Sequence, residues 1–282
     1  MFERFSRSWS LVKASADVLR QDKELLVFPL LSTIAALLVA ATFIAPAIGL
    51  GWIGQLEEQQ GFSPLMAAYG FLFYLVQYFV IFYFNTALVG AAMIRLDGGD
   101  PTVGDGLRIA SSKLGPILGY AALAATVGMI LRAIQERAGF IGRWVAGLLG
   151  LAWTVATFLV VPVLVTRDVG PVDALKESAS LLRKTWGENL IGNGGLGLVF
   201  GLAYVLLVVA GIALAAAIGS TGSAIATGVV VALVVVAFIV LSLVHAALSG
   251  IYSAALYRFA AVGEGSASFT PAVLTDAFKV KA

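Results

Sequence analysis

Six long stretches without Asp, Glu, Lys or Arg constrain the fold of this chain more than any other feature of its sequence. Each reaches the ~17–25 residues that a helix needs to cross a bilayer. Because a backbone in lipid must pair its own polar groups, uninterrupted runs of this length indicate helices, not barrel strands. The sequence therefore predicts an all-α integral membrane protein, with residues 1–282 forming one domain. Its spans cover about residues 25–50, 64–94, 114–131, 144–166, 190–218 and 224–257.

The composition excludes several kinds of chemistry. Charged residues make up 12% of the chain, against about 25% in soluble domains. The absence of cysteine excludes disulfides and thiolate chemistry, and a single histidine offers no set of metal ligands. The H-E-x-x-H, G-x-S-x-G and Walker motifs are all missing. We therefore expect no enzymatic activity, no cofactor and no metal.

The distribution of basic residues predicts the orientation. Fifteen of the 18 Lys and Arg residues lie on the side that both termini share, and only Arg132, Arg137 and Arg143 lie on the other. By the positive-inside rule, both termini are expected in the cytoplasm. The basic residues are spread along the membrane surface and do not cluster with stacking aromatics, which argues against nucleic-acid binding.

Four amphipathic helices are predicted on the cytoplasmic side, at about residues 2–22, 101–113, 171–186 and 271–281. In the third, Pro171 takes the first helical position and apolar residues recur at helical spacing. In the second, Asp100 is the expected N-cap and Pro101 the first helical residue. Such helices lie in the bilayer interface and attract anionic lipid headgroups. The expected membrane-surface contacts are Trp9, Lys13, Arg20, Arg183, Lys184 and Trp186.

Recurring residues suggest an internal repeat. Each even-numbered span ends at an arginine, namely Arg95, Arg167 and Arg258. The helices near them share the same offsets between core positions, in Leu11/Ala14/Val18, Leu107/Ala110/Leu114 and Leu175/Ser178/Leu182. We infer three repeats of an interfacial helix followed by a helical hairpin, and a final capping helix. The last span is longer than the membrane requires, so it either breaks near Gly250 or projects into the cytoplasm, and we favour projection.

A few polar side chains interrupt the spans. One interpretation is a path through the membrane or a lipid site, formed by Asn85, Thr157, Ser242, His245 and Ser249, with Asn189 and Asn193 near the start of span five as candidates for binding a lipid headgroup. The alternative is ordinary hydrogen bonding, with His245 neutral and bonded to Ser242 or Ser249, and with Asn189 and Asn193 as caps. No charged group lies within a span, which weighs against a proton-coupled transporter.

Several segments resemble a known family. They are FERFSRSWSLVKAS, QDKELLVFPLLS, DGGDPTVGDGLRIA and PVDALKESASLLRKTWGENLIGN. Over essentially the whole chain, they are similar to an uncharacterised bacterial family of multi-pass membrane proteins classed as a domain of unknown function. The resemblance implies the bacterial cytoplasmic (inner) membrane, and it implies no activity or site residues.

The favoured function is that of a non-catalytic membrane protein. We expect it to organise lipids or partner proteins through its amphipathic helices, with anionic headgroups as ligands and a homo-oligomer or a membrane-protein partner as further possibilities. A channel or facilitative transporter lined by the polar span residues is the alternative. An intramembrane enzyme is a third and weaker hypothesis.

Overall fold

The structure is a computed structural model, and it describes residues 2–52, 64–137, 139–186, 195–220, 222–263, 265–266, 268–270 and 274. These residues are mostly helical and contain no strand. A 3₁₀ turn at Lys23–Leu26 precedes α2. The α-helices are α1 Phe2–Gln21, α2 Val27–Gly49, α3 Pro64–Leu96, α4 Val103–Ser112, α5 Leu114–Arg137, α6 Gly139–Thr157, α7 Val160–Thr166, α8 Pro171–Trp186, α9 Gly195–Gly219 and α10 Ala224–Val262.

The all-α membrane fold is confirmed. Six helical segments in the described residues are long and apolar enough to cross a membrane, with α6 and α7 together forming the fourth. Helix α3 is central and packs against α2, α4, α5, α7 and α10, while α1 packs against α9 and α10. The segment at 271–281 lies outside the described residues except for Leu274, so the structure gives no account of the expected last helix.

Most of the core lies towards one end of the spans. On α3 the residues from Thr86 to Ala92 are all buried, and on α10 those from Gly250 to Tyr257 are. Farther from this end the spans expose large apolar side chains, such as Leu37, Leu206 and Leu233. Such a surface is what a protein presents to lipid, where apolar side chains need no covering.

Ion pairs and hydrogen bonds join the helix ends at this end of the molecule, which we call the charged face. Arg95 at the end of α3 pairs with Asp22 after α1, and Arg258 on α10 pairs with Asp97 after α3. Lys113, before α5, donates to the carbonyl oxygen of Arg167 after α7. The three arginines that end the even-numbered spans therefore lie on one face of the protein.

Helix α4 begins later than the sequence suggested. Its N-cap is Thr102, whose side chain accepts from the backbone N–H of Asp105, while the Asp105 carboxylate accepts from the backbone N–H of Thr102. This reciprocal capping box satisfies two N–H groups at once. Asp100, expected as the N-cap, instead pairs with Arg95, and Pro101 precedes the helix.

The fourth span is broken, which the sequence did not predict. Helix α6 ends at Thr157 and α7 begins at Val160. Pro162 provides the physical reason, because its ring clashes with the carbonyl group four residues earlier, that of Phe158. Ser178 of α8 bridges the break: its hydroxyl donates to the carbonyl of Ala156 at 2.6 Å and accepts from the N–H of Leu159 at 3.0 Å.

Helix α10 is one continuous helix of 39 residues, with no break at Gly250. It begins at an N-cap formed by Ser223, whose hydroxyl accepts from the N–H of Ala226. It ends at Gly263, whose φ of +79° suits a left-handed C-cap. Near its end, Tyr257 and Arg258 contact Thr166 and Asp97 on the charged face, whereas the last helical residue, Val262, is 64% exposed.

Gly106 sets how closely α4 approaches α3. A Cβ at this position would lie 2.6 Å from the carbonyl oxygen of Ala87 and 2.5 Å from Cζ of Phe28. We expect Gly106→Ala to lower the free energy of unfolding by about 1–3 kcal/mol, because a backbone atom cannot move aside cheaply. Unfolding by increasing SDS in mixed micelles, followed by circular dichroism, measures this.

Gly104 on the same helix is the matched control. A Cβ there meets only the Thr102 hydroxyl at 3.6 Å, so Gly104→Ala should stabilise α4 by up to about 1 kcal/mol through helix propensity. Equal effects of the two substitutions would show that α4 does not depend on this close approach.

Candidate functional site

A cavity of about 320 Å³ lies between α2, α3 and α10. Its polar side chains are Ser32 from α2, Asn85 from α3, and Ser249 and Ser253 from α10. Apolar side chains, among them Phe84, Leu88 and Phe158, form most of the remaining wall. The structure therefore brings together two of the residues expected on a polar path, Asn85 and Ser249.

Gly250 holds α10 close to α3 beside this cavity. A Cβ on Gly250 would lie 2.4 Å from Cδ2 of Leu88 and 3.6 Å from Oδ1 of Asn85. Ser253 has its hydroxyl occupied, since it donates to the carbonyl oxygen of Gly250 at 2.9 Å. The close approach thus leaves Asn85 and Ser249 at the cavity wall while Ser253 is already satisfied.

Three polar side chains of the cavity have no hydrogen-bond partner within the described part of the chain. They are the amide of Asn85 and the hydroxyls of Ser32 and Ser249. Many other hydroxyls of the spans bond back to the carbonyl four residues earlier, as Thr33 does to Pro29 at 2.8 Å. The cavity therefore presents unused hydrogen-bonding capacity in an apolar setting, where each such group is costly.

The cavity lies deep with respect to the charged face. Asn85 precedes Arg95 by ten residues and Ser249 precedes Arg258 by nine, which at 1.5 Å per residue is about 14–15 Å along each helix. Half the hydrocarbon core of a bilayer is also about 15 Å thick. With the charged face at the membrane surface, these polar groups lie within the hydrocarbon region.

His245 and Ser242 face another helix. Nδ1 of His245 and Oγ of Ser242 each lie 3.3 Å from the hydroxyl of Tyr204 on α9. Phe200 stacks on the imidazole, with ring centroids 4.3 Å apart. The expected bond from His245 to Ser242 or Ser249 is therefore wrong: the histidine reaches across to α9. Its partner is the tyrosine hydroxyl.

The remaining polar candidates do not join these groups. The hydroxyl of Thr157 donates to the carbonyl oxygen of Trp153 at 2.8 Å, at the end of α6. Asn189 and Asn193 lie outside the described residues. The polar candidates thus occupy three separate settings. Asn85 lies with Ser249, Ser242 lies with His245, and Thr157 lies apart from both pairs.

Sequence reasoning missed Ser32 and Tyr204. Phe200 and Tyr204 are the only aromatic residues of α9 and are spaced four apart, a pattern that places both on one side of the helix. That spacing was the available signal for a partner of His245. Ser32 had no comparable signal, because only the packing of α2 against α3 places it beside Asn85.

The arginines that end the even-numbered spans are paired with acidic groups. Arg95 lies 3.4 Å from Asp22, and Arg167 lies 2.8 Å from Glu177 of α8. Arg258 lies 2.8 Å from Asp97 and also donates to the carbonyl of Leu96. These arginines join helix ends and are largely committed to the protein itself.

Among the carboxylates whose burial the structure describes, Asp22 is the most buried on the charged face, with its side chain 4% exposed. Burial raises the pKa of this carboxyl above its ordinary value, while the Arg95 guanidinium opposes that rise. Asp105, whose side chain is 32% exposed, shows the reverse behaviour, since hydrogen bonds from Thr102 lower its pKa. Arg95 is therefore the main group that favours the charged form of Asp22.

Other cations of the charged face are available to solvent or lipid. Lys13, Arg183 and Lys184 are exposed and form no ion pair with any described residue. Lys13 lies over the ring of Trp9, 5.9 Å from its centroid, and Trp9 is 42% exposed. Arg20 is also exposed but lies 3.6 Å from Asp17. Trp186 ends α8, and its side chain is outside the described part.

Comparison with known proteins identifies the family without giving an activity. The sequence profile of a family of unknown function, DUF6159, matches residues 65–267. The match covers more than half of the chain and takes in nearly all of the sequence from α3 to α10. No curated protein matches the sequence. The chain belongs to the DUF6159 family, a family of unknown function.

Proposed function

We propose that this chain is a non-catalytic, multi-pass protein of the bacterial cytoplasmic membrane that organises anionic lipids at its cytoplasmic side. In this proposal the charged face lies at the cytoplasmic surface with both termini. The uneven distribution of Lys and Arg supports that orientation. The ligands are the negatively charged headgroups of the inner leaflet.

The difference between paired and unpaired cations carries this proposal. Arg95, Arg167 and Arg258 are held by carboxylates, whereas Lys13, Arg183 and Lys184 are exposed without one in the described residues. Each cation near an anionic surface contributes about 1 kcal/mol of attraction. Unpaired cations give this attraction without first breaking an ion pair.

The burial of α1 and α8 supports their role as interfacial helices. On α8 the residues Ala174, Ser178 and Leu182 are buried, whereas Lys184 is exposed. On α1 the residues Leu11 and Val18 are buried. Each helix is thereby held against the spans by one side and presents cations on another. This burial pattern supports the amphipathic assignment.

Burial at equivalent positions also supports the internal repeat. Ala14, Ala110 and Ser178 share one position of the proposed repeat and all three are buried. Leu114 departs from the pattern, because it is 45% exposed and already belongs to α5. The proposed repeat therefore concerns the helix and hairpin units, and it does not extend to every side chain.

Charge removal provides the test. We expect Lys13→Gln/Arg183→Gln/Lys184→Gln to weaken binding of phosphatidylglycerol, relative to phosphatidylcholine, by at least about 10-fold and at most about 100-fold. Native mass spectrometry of the full chain, released from nanodiscs that contain equal amounts of the two lipids, measures the bound ratio. Added salt should reduce the preference of the unmodified protein.

The control removes the same charge from cations that have partners on their own helices. Arg108→Gln/Arg132→Gln/Lys176→Gln deletes residues that pair with Asp105, Glu136 and Asp173. This variant should retain most of the lipid preference. The proposal fails if the two triple variants behave alike, or if the unmodified protein binds both lipids equally.

A facilitative path is the second candidate function, and one observation favours it. Asn85 and Ser249, two of its expected lining residues, share a cavity. However, Ser242 and His245 are directed to Tyr204, and Thr157 bonds within its own helix. Solute flux in proteoliposomes, compared between the unmodified protein and an Asn85→Leu/His245→Leu variant, tests this candidate.

A further inference from the structure

The cavity between α2, α3 and α10 has no role in headgroup binding, because it lies about 14–15 Å from the charged face. We propose that this cavity binds an uncharged, lipid-soluble molecule by donating hydrogen bonds to a carbonyl oxygen of that molecule. Asn85, Ser249 and Ser32 are the residues that donate to it. This inference shares with the proposed function the placement of the charged face at the membrane surface, but it does not rest on headgroup binding and is tested separately.

Unused hydrogen-bonding groups are the first reason to expect a ligand. The Asn85 amide and the Ser32 and Ser249 hydroxyls face one cavity and have no partner in the described part of the chain. In hydrocarbon no solvent supplies the missing bonds. A bound molecule with polar atoms at this position removes the cost of leaving all three unpaired.

The donor chemistry of these groups specifies an acceptor. The Asn85 amide offers two N–H donors and one carbonyl oxygen, and each serine adds one O–H donor. A carbonyl oxygen has two lone pairs and can accept from two of these donors at once. A ligand with one or two carbonyl groups therefore suits this arrangement.

Depth and charge restrict the ligand further. None of the described residues that line the cavity carries a charge, so a charged ligand would lose its hydration without compensation. Phospholipid headgroups stay near the charged face and do not reach this depth. The ligand is therefore a molecule that dissolves in the hydrocarbon region, such as a membrane quinone or a diacylglycerol.

The size and lining of the cavity favour such a molecule over water alone. About 320 Å³ is available, whereas one water occupies about 30 Å³. Phe84, Leu88 and Phe158 offer no hydrogen bonds to a water cluster of that size. They do offer contact area to an apolar ring or an acyl chain.

Photolabelling of the full chain in nanodiscs tests the proposal. The probes are a short-chain quinone and a diacylglycerol, each with a diazirine, and a diazirine-bearing alkane that lacks oxygen. We expect saturable labelling of α3 and α10 near the cavity by an oxygen-bearing probe, with competition by its unlabelled form. The identity of the saturating probe distinguishes a quinone from a diacylglycerol.

Two variants and one matched control make the result specific. Asn85→Leu and Ser249→Ala should each weaken the saturable labelling by about 3- to 10-fold, the effect of one hydrogen bond. Ser242→Ala makes the same change on the same helix at a residue that faces Tyr204, and should leave labelling unchanged. Thermal unfolding of each variant checks that the fold is retained.

Three outcomes would overturn the proposal. One is equal labelling by the alkane, which would indicate a nonspecific apolar surface. Another is labelling that neither saturates nor competes for either oxygen-bearing probe, which would indicate an empty or water-filled cavity. The third is an equal loss in the Ser242→Ala and Ser249→Ala variants.

Discussion

Arg95→Leu is expected to lower the free energy of unfolding by about 3–5 kcal/mol, because it leaves the buried Asp22 carboxylate without its cation. The two groups lie 3.4 Å apart, with side chains 18% and 4% exposed. Unfolding by SDS in mixed micelles gives the difference from the unmodified protein. Arg108→Leu, which removes an 81% exposed arginine paired with Asp105, should cost less than about 1 kcal/mol.

The loss of stability caused by Arg95→Leu should depend on pH. Burial already places the folded-state pKa of Asp22 above its ordinary value, and removing Arg95 removes the main opposing effect. A carboxyl whose pKa is raised by folding contributes most stability below its unfolded pKa and loses that contribution as the pH rises through the folded value. The deficit of the variant should therefore shrink as the pH falls from neutral.

A second substitution separates the charge from the packing. Asp22→Asn/Arg95→Leu replaces the carboxylate with a neutral amide, so it should regain much of the stability and lose the pH dependence of the deficit. A deficit of Arg95→Leu that stays constant with pH, or a double variant as unstable as the single one, would show that Asp22 is not the cause.

Ser178→Ala is the other substitution with a large expected effect, a loss of about 2–4 kcal/mol. The Ser178 hydroxyl serves two backbone groups at the break between α6 and α7, the carbonyl of Ala156 and the N–H of Leu159. Removing it leaves both without a partner, at about 1–3 kcal/mol for each buried group. The same SDS titration measures the loss.

Ser180→Ala is the control on the same helix, because Ser180 is exposed and its loss should change stability by no more than about 0.5 kcal/mol. Adding Pro162→Ala to Ser178→Ala should recover part of the loss, since the proline ring no longer prevents a continuous helix. If the Ser178→Ala variant were as stable as the Ser180→Ala variant, this result would contradict the bridging role of Ser178.

The sequence alone was sufficient for the membrane architecture. Runs without charge are a direct consequence of the cost of burying ionised groups in lipid, so six of them predict six spans. The start of α8 at Pro171 follows from local chemistry in the same way, because the residue at that position needs no N–H partner. The capping box at Thr102 was also present in the sequence, but Asp100 and Pro101 offered a competing local signal.

The grouping of polar span residues depended on tertiary contacts. The polar residues Asn85, Thr157 and Ser249 precede the arginines that end their spans by ten, ten and nine residues, a spacing that is compatible with one shared path. The rotation of each helix about its own axis decides which neighbour a side chain meets, and apolar sequences encode that rotation weakly. Asn85 thus meets Ser249 and Ser32 at a cavity, whereas Ser242 and His245 meet Tyr204.

By itself the sequence determined the helical class, the six spans and the side on which the basic residues collect, because each follows from transfer of residues between water and lipid. Only the tertiary structure decided that Arg95, Arg167 and Arg258 are paired, while Lys13, Arg183 and Lys184 form no ion pair with the described residues. It also decided that Ser178 bridges a break in the fourth span. These outcomes depend on contacts between residues far apart in the chain, and such contacts exist only once the helices have packed.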